Sequence, residues 1–139
     1  MTQGGQLYDA YIFDLDGTVY LGDALLPTAG ETITALRKGG KRTLFLSNNP
    51  TRTREAYAAK LTRLGLPTPI ADVVNSSYVM VDFLRHEMSG ARLFVVGEES
   101  LHQELERAGF VSADDARQID AVIASFDRTF DYRKLQIAF

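Results

Sequence analysis

A chain of 139 residues with 45% apolar and 24% charged residues can bury a real core and has the make-up of an ordinary soluble globular protein. Its 15 Lys and Arg against 18 Asp and Glu give a formal charge of -3, which offers no electrostatic footprint for nucleic acid or an anionic membrane. The absence of cysteine excludes disulfides, thiolate metal ligands and a Cys nucleophile, and apolar runs of about four to five residues fall far short of the ~20 that cross a bilayer.

From the start of the chain, Met1 to Gln6 is polar and glycine-rich with no apolar signal segment, so a cytoplasmic protein is expected. Short apolar runs then alternate with helix-period segments, the pattern of a parallel βαβ sheet and so of the α/β class. Ala10 to Phe13 reads as a strand ending at Asp14, and Gly17 to Pro27 as a turn-rich stretch too irregular for a helix. A helix is predicted from Thr28, where Thr28-Ala29-Gly30-Glu31 has the capping-box spacing, with Ile33 and Leu36 on one face and Gly39-Gly40 as the stop. Thr43 to Leu46 reads as the second strand, ending at Ser47.

After Asn48-Asn49-Pro50, Tyr57, Leu61 and Leu64 predict a helix that Gly65 ends. A short strand around Val73-Val74 leads to Ser76-Ser77 as a cap and a helix carrying Val79, Met80, Phe83 and Leu84. Leu93 to Val96 is a strand, Leu101, Leu105 and Ala108 line a helix closed by Gly109, Ala121 to Ala124 is a strand, and a helix begins at Tyr132. Ser89-Gly90 reads either as a domain boundary or as a helix-to-strand turn.

Open α/β sheets place ligands beyond the carboxyl ends of their strands, where Asp14 and Asp16 sit two residues apart with Gly17 free to turn sharply. Carboxylates this close repel, and a divalent cation would keep both ionised; an oxygen-only site of this kind suits Mg²⁺. An EF-hand loop counted from Asp14 would put Thr18 at position 5, Val19 at position 6 and Leu25 at position 12, none of them the residue such a loop needs. A plain Asp-x-Asp-Gly surface turn competes, since these residues favour turns, but the apolar run before it and Thr18 after it favour a site. A phosphoaccepting receiver domain would carry its acids on two separate strands, and here both lie in one loop. At the second strand end, the Ser47 hydroxyl and the following backbone N–H groups could bind a phosphoryl oxygen, or Ser47 and Asn48 could cap the next helix with Pro50 in its first turn; the two readings are compatible.

Phe13-Asp14-Leu15-Asp16-Gly17-Thr18-Val19-Tyr20 and the strand ending in Ser47 together resemble the first and second motifs of the haloacid dehalogenase superfamily. Asp16-Gly17-Thr18-Val19-Tyr20-Leu21-Gly22, Leu46-Ser47-Asn48-Asn49-Pro50-Thr51-Arg52 and Phe94-Val95-Val96-Gly97-Glu98 resemble its NagD-like branch of 4-nitrophenylphosphatases and pyridoxal phosphate phosphatases. The resemblance implies a Rossmann-like parallel sheet core, with residues 1–89 as its first part and 90–139 as the beginning of an inserted α/β cap. It implies an aspartyl-phosphate on Asp14, proton transfer to the leaving group and from water by Asp16, Mg²⁺ held by the Asp14 carboxylate and the Asp16 backbone carbonyl, and a phosphoryl group held by Gly17, Thr18, Ser47 and Asn48. The substrate would be a small phosphorylated metabolite.

The chain departs from that family in lacking a match to its later lysine and its late acidic pair: no strand follows Lys134, and Asp114-Asp115 falls where the cap is expected. It stops on the helical pattern Leu135, Ile137, Phe139 without a stop signal. The expectation is an N-terminal fragment of a longer phosphatase, binding Mg²⁺ weakly and hydrolysing little. The alternatives are a non-catalytic assembly fragment that pairs with another chain, including a second copy, through an unpaired strand edge, and a phosphomutase of the same superfamily.

Overall fold

A computed structural model describes residues 8–139. They form two compact units, one running up to Ser47 and resuming over Tyr57–Val74, the other made of Asn48–Ala56 and Asn75–Phe139.

In the first unit, β1 (Ala10–Asp14) pairs in parallel with β4 (Arg42–Ser47), in a register that sets Ile12 beside Leu44 and Asp14 beside Leu46. β5 (Val73–Asn75), whose first two residues belong to this unit, adjoins the far side of β4. Alternation along β1 turns Phe13 onto Phe45, with ring centroids 6.3 Å apart, and leaves Ile12 67% exposed on the other face. Helices α1 (Ala29–Lys38) and α2 (Arg54–Arg63) supply Ile33, Ala58 and Leu61 to a core that also takes in Leu15, Val19 and Tyr20. Both helices close in the same reverse turn: Lys41 N–H donates to Leu36 and Leu66 N–H to Leu61, each at 2.9 Å.

Several local expectations shift. The stretch read as irregular contains a hairpin, β2 (Tyr20–Leu21) and β3 (Ala24–Leu25), joined by Gly22-Asp23 with Gly22 at φ +56°, as the first position of a two-residue loop requires. Two-residue strands are too short to show a period. Thr28 makes no side-chain cap; it lies at φ 68° after a turn in which Ala29 N–H donates to Leu26 O at 3.1 Å, and this entry angle defeats the capping box.

In the second unit, β6 (Arg92–Val96) lies between β7 (Val111–Ser112) and β8 (Ala121–Ala124), parallel to both, and is buried along nearly its whole length as a central strand should be. Helices α3 (Ser76–Glu87) and α4 (Glu99–Arg107) add Val81, Leu84, Leu101 and Leu105 to its core. Asn75, not Ser76 or Ser77, caps α3: its side chain accepts from Tyr78 N–H at 2.9 Å. The buried stripe of α3 is Ser77, Val81 and Leu84, while Val79 and Phe83 are exposed. Two apolar stripes share this helix, and helical period alone does not say which one packs. Ser89 and Gly90 lie in a turn from α3 to β6, where Ala91 N–H donates to Met88 O at 3.1 Å.

The last helix, α5 (Tyr132–Ala138), is capped by Asp131 and tied down by Lys134, whose ammonium donates to Asp127 at 2.6 Å and to the Thr129 hydroxyl at 2.8 Å. Burial raises the Asp127 carboxyl, but these hydrogen bonds outweigh it and hold the group below the usual range. Among the described residues no helix is long and apolar enough to cross a membrane.

Candidate active site

The loop after β1 is built by an alternation of anchors and free groups. Leu15 and Val19 are buried in the first unit's core, while Asp14, Asp16, Gly17 and Thr18 are all exposed. The Leu15 carbonyl accepts from Val19 N–H at 2.9 Å and, at 3.3 Å each, from Thr18 and Tyr20 N–H, coiling the backbone around one point. Gly17 sits at φ +82°, and its N–H donates to Tyr20 O at 2.8 Å, so the turn closes on the first strand of the hairpin. The Thr18 hydroxyl reaches Asp14 Oδ2 at 3.4 Å, a long contact.

This geometry displays two carboxylates on one short, well-anchored loop. Among the described residues neither Asp14 nor Asp16 has a cationic side-chain partner, and no group of three or more metal-ligating side chains comes together. The donor set therefore fits a hard, oxygen-seeking divalent cation in part: two carboxylates and loop carbonyls, with the remaining positions left to water or a phosphate.

Ser47 ends β4 one residue beyond Leu46, the register partner of Asp14, so both lie on the same rim of the parallel pair. It is 3% exposed, and its hydroxyl donates to Tyr57 Oη at 3.2 Å. Helix α2 begins only at Arg54, where Thr53 Oγ1 accepts from Ala56 N–H at 3.3 Å. The capping role considered for Ser47, Asn48 and Pro50 thus falls to Thr53.

Asn48 belongs to the second unit, in the segment that follows Ser47. Three side chains of that unit hold alternate carbonyls of this segment. Ser76 Oγ donates to Asn48 O at 3.3 Å, Ser100 Oγ to Pro50 O at 2.6 Å, and Asn75 Nδ2 to Arg52 O at 3.1 Å. The backbone is thereby pinned at every second residue, and within it Thr51 N–H donates to Asn49 Oδ1 at 3.0 Å. Asn48 and Pro50 also line a cavity of about 270 Å³ with Ser76, Met80, Leu101 and Phe126. Nothing local in the sequence marks Ser100 or Tyr57 for these roles, because the partners are brought in by the fold.

The haloacid dehalogenase-like hydrolase family model matches residues 11–111. Sugar-phosphatase AraL of Bacillus subtilis is 37% identical, over 92% of this chain and 47% of its own length. Among solved structures, the 4-nitrophenylphosphatase from Thermotoga maritima superposes with a TM-score of 0.86 at 32% identity, over 94% of this chain and 49% of that one. A putative nagD protein does so with a TM-score of 0.85 at 32% identity, over 94% and 51%. A glycerol phosphate phosphatase from Mycobacterium tuberculosis, in complex with calcium, gives a TM-score of 0.80 at 31% identity, over 94% and 38%. The α/β fold expected from the sequence is the fold found, and the chain spans about half the length of the curated relatives it matches.

Proposed function

We propose that this chain, which belongs to the haloacid dehalogenase-like hydrolase family, carries the nucleophile and the acid/base of a Mg²⁺-dependent phosphomonoesterase. The carrying observation is the loop itself: two exposed carboxylates held by Leu15 and Val19 at a strand end, on the rim where β4 ends in Ser47. Asp14, at the strand end, attacks the phosphorus of a small phosphorylated metabolite and forms an aspartyl-phosphate as the P–O bond to the alcohol breaks. Asp16 gives its proton to the departing oxygen. It then takes one from the water that attacks the aspartyl-phosphate, which returns Asp14 and releases inorganic phosphate.

Gly17, Thr18, Ser47 and Asn48 contribute hydroxyl and N–H donors to the phosphoryl oxygens. Mg²⁺ bound by the Asp14 carboxylate and the Asp16 backbone carbonyl would supply charge neutralisation between the nucleophile and the phosphate, leaving the Asp16 carboxyl free for proton transfer. Residues 1–89 act as core and 90–139 as the beginning of a cap that shapes the substrate pocket.

The test is trapping. Purified chain incubated with 4-nitrophenyl phosphate and Mg²⁺, quenched in acid and mapped by mass spectrometry, should carry one phosphoryl group on Asp14. Turnover should be slow, since this one loop makes only part of a metal shell. Label on another residue, or label that persists in Asp14→Asn, would refute the assignment. An assembly role is the second reading, favoured by Ile12 and Leu46, exposed on the β1–β4 sheet. Light scattering that shows a monomer at high concentration would dismiss it.

A further inference from the structure

Helix α2 buries two polar side chains one turn apart, Tyr57 at 1% exposure and Lys60 at 6%, on a face otherwise given to Ala58 and Leu61. An apolar residue at either position would serve a core better, because buried polar and charged groups lose hydration that packing alone does not return. Their polar ends do not go to each other. Tyr57 Oη meets the Ser47 hydroxyl at 3.2 Å, and Lys60 Nζ lies 3.7 Å from the centroid of the Tyr20 ring. Ser47 ends β4. Tyr20 starts the hairpin whose carbonyl accepts from Gly17 N–H at 2.8 Å in the acidic loop. One face of one helix therefore supports both halves of the candidate site.

We propose that Tyr57 and Lys60 are positioning residues of this site, Tyr57 acting through Ser47 and Lys60 acting through Tyr20 on the Asp14–Thr18 loop; this rests on the phosphoryl-transfer reading above. Ser47 Oγ and Tyr57 Oη lie 3.2 Å apart, and two hydroxyls at this distance can share a hydrogen bond in either sense. A phosphoryl oxygen at the site selects one of them. Tyr57 O–H then donates to Ser47 Oγ, and the Ser47 proton turns to the phosphoryl oxygen, so no proton is gained or lost. Lys60 acts differently. Its ammonium is attracted to the face of the Tyr20 ring, which keeps the hairpin seated and the Gly17 turn closed.

The experiment uses the whole 139-residue chain with Tyr57→Phe and Lys60→Met, both close in shape to the originals. Three quantities are read by NMR: affinity for inorganic phosphate at saturating Mg²⁺, the Ser47 amide shift, and exchange of the Gly17 amide. Tyr57→Phe should move the Ser47 shift and weaken phosphate binding roughly three- to ten-fold, with Gly17 exchange unchanged. Lys60→Met should speed Gly17 exchange about ten-fold while amides of β4 keep their protection. A purely structural role would move all amides together, and that result would overturn the proposal. So would an unmoved Ser47 shift in Tyr57→Phe, or wild-type Gly17 exchange in Lys60→Met. If the wild-type chain binds no phosphate, the phosphoryl-transfer reading fails, and the Ser47 shift and Gly17 exchange still decide the positioning roles.

Discussion

Asn75 carries two duties in one buried side chain, and replacing it with alanine separates them from the rest of the fold. Its oxygen accepts from Tyr78 N–H at 2.9 Å and caps α3, while its nitrogen donates to Arg52 O at 3.1 Å and holds the segment after Ser47. Loss of the cap costs about 1 kcal/mol. Loss of a buried side chain-to-backbone hydrogen bond costs about 1 kcal/mol more, with the Arg52 carbonyl left short of a donor. Asn75→Ala should therefore destabilise the chain by about 2 kcal/mol, a fall in Tm of roughly 6–10 °C for this size. Asn75→Ser keeps an oxygen for the cap and loses only the link to Arg52, so it should show about half that loss. Urea denaturation followed by circular dichroism measures both. The reasoning is refuted if Asn75→Ala stays within about 0.5 kcal/mol of wild type, or if Asn75→Ser is as damaging as Asn75→Ala.

Gly17→Ala meets open space but forces a side chain into φ +82°, so its cost of about 1–2 kcal/mol is purely one of backbone conformation; a thermal melt unchanged from wild type would count against the turn described. Glu98 accepts two guanidinium hydrogen bonds from Arg128 and one from its backbone N–H, and this pairing lowers the carboxyl from its ordinary 4.5 to about 2. The stability it contributes is complete above pH 4.5 and is lost as pH falls toward 2, so Glu98→Gln should flatten the melting temperature across that window. Glu104 is shifted the other way, first by burial and then by the charge of Glu55. A raised folded value means stability declines as pH rises through it. Glu104→Gln should thus melt slightly higher than wild type at pH 7, with the difference vanishing in acid.

What could be read in the sequence was local. The run Ala10 to Phe13 before Asp14-Leu15-Asp16-Gly17 marks a strand ending in a tight acidic turn, because period, turn chemistry and charge repulsion all act between near neighbours. The glycine stops at Gly40 and Gly65 were legible for the same reason. The α3 cap and buried face were not, since neighbouring Asn and Ser compete for one cap and two apolar stripes compete for one core. Nor was the support of the site: Ser100 reaches Pro50 from 50 positions away, Tyr57 reads simply as part of a helical pattern, and Lys60 lies outside that pattern. By itself, the sequence determined which carboxylates stand at the strand end and which residues turn the chain there. The tertiary structure decided what holds them, because hydrogen bonds and cation–ring contacts between distant segments exist only once packing has brought those segments together.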